Sequence, residues 1–212
     1  MIREDIDNFI KTIPENVCIV AATKYVDANT MLELYNHNIK DYGENRTEAF
    51  LEKYEALKDY KDIKWHFIGH LQRNKAESVI NKIDCLHSLD SLKLAKLIEE
   101  KREKPLDCFV EVSINMEESK NGVPYKEINS FMEEVLKFKK INVVGFMMMA
   151  IKNDSDDDII KQFKALKYLK ERVEKDFNIN MPYLSMGMSN DYKDAIIAGA
   201  THIRLGRILW NL

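Results

Sequence analysis

Eight short apolar runs, each but the last followed by a stretch of helical periodicity, constrain this chain more than any other feature of it. The first, Val17-Cys18-Ile19-Val20-Ala21-Ala22-Thr23-Lys24, suits a strand buried on both faces and ends on a single ammonium group. Ahead of it, Ile2, Ile6, Phe9 and Ile13 recur at helical spacing until Pro14, which predicts a helix before the first strand. Further strands are predicted at 39–42, 64–68, 84–88, 107–113, 142–147, 182–184 and 202–205. Helices are predicted at 29–37, 46–57, 72–80, 91–102 and 192–198. Another starts at Pro124 and turns Ile128, Phe131, Met132, Val135 and Leu136 inward, and a long one carries Ile160, Phe163, Leu166, Leu169 and Val173. Asp156-Asp157-Asp158 at the start of that long helix complements the positive end of its dipole and needs no other role.

Strands alternating with helices build a parallel sheet, and eight of them can close it. The expected fold class is therefore α/β, a single (β/α)8 TIM barrel with an additional N-terminal helix, with a doubly wound open sheet as the alternative. No Pro/Gly/Ser-rich linker divides the 212 residues, so 1–212 is read as one domain. Thirty-two Lys and Arg face thirty-five Asp and Glu, a formal charge of -3 that gives no electrostatic case for nucleic acid as a partner. An anionic small molecule would have to be held locally. Cys18, Cys85 and Cys108 all fall in predicted strands without Cys-x-x-Cys spacing, which argues for reduced, buried thiols. The acidic opening Met1-Ile2-Arg3-Glu4-Asp5-Ile6 is unlike a signal or transit peptide, and no apolar stretch is long enough for a bilayer, so a soluble, cytoplasmic protein without membrane contact is expected.

In a barrel the loops after the strands open on one face, so the informative residues are those near each strand's end. They are Lys24, Asn45, His66 with Gly69, Ser88, Asn115, Ser185 through Ser189, and Arg204 with Gly206. Ala21 and Ala22 leave room beside Lys24 for something flat, and burial there would bring its amine toward the range where it attacks a carbonyl. The plain alternative is a solvated lysine. Leu184-Ser185-Met186-Gly187-Met188-Ser189-Asn190-Asp191 sets two hydroxyls and a glycine just before a helix, where free backbone N–H groups favour a phosphate, although Ser189 could equally be an ordinary N-cap. Leu205-Gly206-Arg207 supplies a second backbone approach after the last strand. His66 and His70 are four apart, but Gly69 and the preceding strand argue against a helical metal pair, and no metal site is expected. Met147-Met148-Met149 reads as core packing, although the side chain nearest the mouth could line a ring pocket.

Ala22-Thr23-Lys24, Gly43-Glu44-Asn45, Trp65-His66-Phe67-Ile68-Gly69 with Leu71-Gln72 and Asn74-Lys75, Ser185-Met186-Gly187-Met188-Ser189 and Arg204-Leu205-Gly206 together resemble the pyridoxal-phosphate homeostasis protein family. That family is similar to the barrel domain of alanine racemase, and the resemblance runs over nearly the whole chain in order. It implies a barrel carrying pyridoxal 5′-phosphate (PLP), with Lys24 joined to it as a Schiff base. Ser185, Ser189, Gly206 and Arg207 would surround the phosphate, with Met188 of the same loop among the cofactor contacts. Arg204 would face the pyridine nitrogen, Asn45 would lie near the cofactor, and His66 belongs to a family motif. Three positions depart from the pattern: Arg207 where a small hydroxyl residue is expected, His70 where a proline is frequent, and Met116 where a glycine is usual.

Carbanion chemistry on this cofactor uses the ring as an electron sink, strongest when a carboxylate keeps the ring nitrogen protonated; Arg204 would leave that nitrogen neutral and the sink weak. A two-base racemase also needs a second proton carrier, and 212 residues leave no room for the extra domain that would bring it. The site is therefore read as one that holds, buffers or delivers PLP more than one that turns over substrate, with PLP-dependent apoenzymes as recipients and a monomer as the working state. The alternatives are a low-activity PLP-dependent amino-acid racemase and a cofactor-free Schiff-base aldolase.

Overall fold

A computed structural model describes residues 1–114, 121–151 and 155–210. Strands β1 (Cys18–Ala22), β2 (Asp41–Glu44), β3 (Lys64–Phe67), β4 (Cys85–Leu89), β5 (Leu106–Ser113), β7 (Ile141–Met147), β8 (Tyr183–Ser185) and β9 (His202–Leu205) pair in parallel, and β4 pairs with β5 to close the ring. This is the (β/α)8 barrel expected; the open sheet is excluded by that last pairing. A two-residue strand β6 (Val123–Pro124) hangs on β5 outside the barrel, which the periodicity does not announce.

Helices α1 (Ile6–Ile10), α2 (Ala28–Tyr35), α3 (Thr47–Ala56), α4 (Arg73–Ile80), α5 (Leu92–Lys101), α6 (Ile128–Val135), α7 (Asp156–Phe177) and α8 (Tyr192–Ile197) alternate with the strands. Their starts follow local chemistry: Asp27 accepts from Thr30 N at α2, Ser91 from Leu94 N at α5 and Ser155 from Asp158 N at α7. Apolar faces such as Phe163, Leu166, Leu169 and Val173 of α7 pack onto the outside of the sheet. Leu136 does not turn inward as its spacing suggests. It lies just past α6 and is 38% exposed, because the helical stripe has already ended at Val135. β2 lies two residues later than predicted, at Asp41–Glu44, and β8 one residue later. Asn115 and Met116 lie outside the described residues.

The first and last segments meet beneath the barrel wall. Ile2 bridges Trp210, Arg3 Nη1 donates to Ile208 O, and Trp210 Nε1 donates to Ala22 O at 3.3 Å. Inside the bore, the usual branched apolar filling is largely replaced by Asp41, His66, His87, His202, Ser185 and Arg204, with Cys85, Phe109, Val144 and Met147 as a small apolar cluster. Among the described residues no helix is long and apolar enough to cross a membrane.

Candidate functional site

The C-terminal mouth of the barrel holds a cavity of about 580 Å³. Lys24, Met188, Ser189, Arg204, Gly206 and Arg207 all line it, so six of the nine residues singled out by sequence are brought together. Ser185, Asn45 and His66 do not line it. Each has a different place.

Lys24 follows β1 on a loop whose backbone is fixed from several sides. Thr23 N donates to Gly43 O, Trp210 Nε1 donates to Ala22 O, and Lys53 Nζ donates to Thr23 O at 2.6 Å. Lys53 also pairs at 2.5 Å with Glu44, whose carboxylate further accepts from Thr23 Oγ1 and Asn45 N. Glu44 and Lys53 are both buried, and neither was singled out from the sequence. The signal was present: Lys53 occupies the apolar stripe of α3 between Phe50 and Leu57. The shielding expected of Lys24 itself is absent. Its side chain is exposed, with Nζ 4.6 Å from the ring centroid of Tyr25, because Tyr25 turns outward and the small neighbours Ala22 and Gly206 cannot cover the amine.

The loop after β8 turns at Gly187, whose φ of +93° favours glycine and where a Cβ would lie 2.6 Å from that of Ala195. Ser189 is not the N-cap of α8, which is Asp191; the Asp191 carboxylate instead accepts from Met188 N at 2.5 Å. Ser189 Oγ accepts from Gly206 N at 3.2 Å and so ties the last two loops together. Its own hydroxyl proton is not committed by that bond.

Arg204 is buried at the cavity floor, donating from Nη1 to Ser185 Oγ at 2.6 Å and from Nη2 to Met148 O at 2.9 Å. Burial pushes its guanidinium down to about 10, so it stays cationic at neutral pH. Ser185 lies beneath it, fully buried, and Ser185 Oγ meets His87 Nδ1 at 2.8 Å. His87 Nε2 meets His66 Nδ1 at 2.9 Å, and His66 Nε2 meets Asp41 Oδ1 at 2.9 Å. A guanidinium can only donate and a carboxylate only accept. With neutral imidazoles, every proton then points one way, from Arg204 through Ser185, His87 and His66 to Asp41. Burial, reinforced by His66, holds His87 well below the ordinary histidine value, which favours that neutral form. His66 is thus an interior residue of β3 aimed at the opposite mouth, and its nearness to the strand's end misleads. Asn45 has a buried Oδ1 with no partner among the described residues, against a backbone so close to Gly69 that a Cβ there would lie 2.5 Å from Asn45 O.

Glu111 of β5 is a third residue that the sequence reading misses. Burial, with Asp90 adding, pushes its carboxyl up to about 7 against the opposing pull of Arg204. The folded protein holds this proton more tightly than the ordinary value of 4.5, so the stability it contributes is complete below pH 4.5 and is lost as pH rises through about 7. Glu111→Gln should flatten the fall in urea midpoint over that window relative to the parent chain. An unchanged slope would contradict the assignment.

Fold and mouth define a barrel of the alanine racemase type: the family model described as alanine racemase, N-terminal domain, matches residues 2–212. The chain is 38% identical over 196 residues to the pyridoxal phosphate homeostasis protein of Aquifex aeolicus, covering 91% of this chain and 86% of that one. It is 36% identical over 206 residues to the protein of the same name from Synechocystis sp., covering 95% and 94%. The structure of PipY from Synechococcus elongatus PCC7942, solved with PLP bound, superposes with a TM-score of 0.92 at 24% identity, covering 98% of this chain and 99% of that one. An alanine racemase of Clostridium difficile 630 shares the fold with a TM-score of 0.79 at 15% identity, over 96% of this chain and 55% of that one. The chain belongs to the pyridoxal phosphate homeostasis protein family.

Proposed function

We propose that the chain binds pyridoxal 5′-phosphate at the C-terminal mouth and acts in intracellular PLP homeostasis, holding, buffering or delivering the cofactor. The observation that carries this reading is the meeting of Lys24, Arg204, Ser189 and Gly206 on one cavity of about 580 Å³, within the size range of small-molecule sites. The names of the curated relatives support it. The residues present fit the group: a primary amine for an aldehyde, a buried cation for the ring edge, and a hydroxyl and backbone N–H for an anionic tail.

When bound, PLP supplies an aldehyde and an electron-accepting ring. Lys24 would hold the aldehyde through its amine, with the carbonyl oxygen leaving as water, and the fixed backbone around Thr23 sets where that amine can reach. The Ser189 hydroxyl and Gly206 N–H would hold the phosphate, with Met188 and Arg207 walling the same end. Asn45 and Ser185 act from behind, Ser185 by holding the guanidinium of Arg204. Arg204, cationic at neutral pH, can only donate to the ring nitrogen and would leave it unprotonated, which would make the ring a weak electron acceptor and favour retention over turnover. We further take the chain to be one PLP-binding domain, cytoplasmic and monomeric, with PLP-dependent apoenzymes as recipients.

The test is borohydride reduction of the PLP-loaded protein followed by peptide mass spectrometry. One reduced adduct, on Lys24, is expected. An adduct on a different lysine, or none, would overturn the assignment.

A further inference from the structure

We propose that His66, Cys85 and His87 form a binding site for a thiophilic metal ion, with zinc as the test ion, inside the barrel bore and distinct from the C-terminal mouth. The backbone sets the three side together. His66 of β3 and Cys85 of β4 are register partners, and His87 follows Cys85 by two residues, on the same face of its strand. All three are buried, and one ligand atom from each lies within 4.8 Å of the others. Bonds of about 2.0 Å to nitrogen and 2.3 Å to sulfur place tetrahedral ligand atoms roughly 3.3–3.6 Å apart. The 2.9 Å contact between His66 Nδ1 and His87 Nε2 would open by a few tenths of an ångström, and the widest separation would close by about 1 Å.

The outer partners of such a site are already in place. A metal-bound histidine commonly uses its second ring nitrogen to donate to a carboxylate or another fixed acceptor. His66 Nε2 sits 2.9 Å from Asp41 Oδ1, and His87 Nδ1 sits 2.8 Å from Ser185 Oγ. Coordination through the facing nitrogens would replace the one hydrogen bond between the rings and keep both outer contacts. One proton would leave, from the Cys85 thiol, and His87 would change tautomer. Entry is available from the N-terminal mouth, where His66 and Cys85 line a cavity of about 810 Å³. The donor set is two imidazoles and a thiolate, which suits zinc or cuprous ion and not the oxygen-seeking magnesium or calcium.

Native mass spectrometry of the full chain with zinc, together with competition against a zinc-indicator dye, tests this. One zinc per chain is expected. Cys85→Ser and His87→Gln should each weaken binding at least about tenfold, and Asp41→Asn by roughly 10–100-fold. Cys18→Ser, in the same lower cavity but outside the trio, should leave uptake unchanged. Zinc-edge X-ray absorption of the parent protein needs no variant and should find one sulfur ligand beside nitrogen. No stoichiometric uptake, undiminished uptake by folded Cys85→Ser, loss of uptake in folded Cys18→Ser, or a bound zinc without sulfur would each overturn the site.

Discussion

Lys53→Met is expected to lower the free energy of unfolding by about 3–5 kcal/mol, because it strands a buried carboxylate. The Glu44 side chain has no solvent exposure and that of Lys53 only 9%, with 2.5 Å between Nζ and Oε2. Methionine keeps most of the lysine's volume, so the loss would come from charge and not from a cavity. Among the described residues Glu44 would keep Thr23 Oγ1 and Asn45 N as partners, and Thr23 O would lose its lysine donor. Urea denaturation should show the change, with a fall in melting temperature of roughly 6–20 °C for a chain of this size. The double variant Lys53→Met with Glu44→Gln should regain much of it, since it leaves no buried charge unpaired. A single-variant loss below about 1 kcal/mol would mean that the pair behaves like a surface ion pair.

Gly145→Ala should be at least as damaging. Gly145 lies in β7, in register with Tyr183 of β8, and a Cβ on it would stand 2.0 Å from Tyr183 O and 2.7 Å from Tyr183 C. Those atoms are backbone within the barrel ladder, so they cannot swing aside as a side-chain tip would. The two strands would have to part, and a closed barrel transmits that displacement around its ring. A loss above about 3 kcal/mol, or failure to accumulate as folded protein, is the expected outcome. Gly206→Ala is the control for stability: its Cβ would meet Ala22 at an ordinary 3.7 Å, and a cost below about 1 kcal/mol is expected. Equal melting temperatures for the Gly145→Ala and parent proteins would refute the close approach.

The barrel was legible because its outward-facing helices and strand backs carry strong periods, as Phe163, Leu166 and Leu169 of α7 do. The bore was less so. Asp41 and Gly43 are interior residues of β2, yet they interrupt an apolar run, which is why the sequence pattern places that strand two residues early. The mouth residues Lys24, Arg204 and Gly206 could be found from their places at or just past strand ends, since a barrel's topology fixes which strand ends share a rim. Interior depth could not. His66 and Ser185 lie near strand ends in sequence, but the stagger of the barrel sets them below the rim, in the chain of contacts under Arg204. Glu111 and Lys53 escaped because a charge in a strand or on a helix is ordinarily solvated, and only tertiary partners reveal the exception.

The pinning of Arg204 by Ser185 Oγ and Met148 O has an electrostatic consequence. A guanidinium free in solvent would have to reorient, and drag its hydration shell with it, whenever charge shifted on a neighbouring molecule. Here two hydrogen bonds at 2.6 and 2.9 Å have fixed the plane of the cation before any guest arrives. The field it casts across the floor of the mouth is therefore permanent, and a molecule entering there meets it without a reorganisation cost.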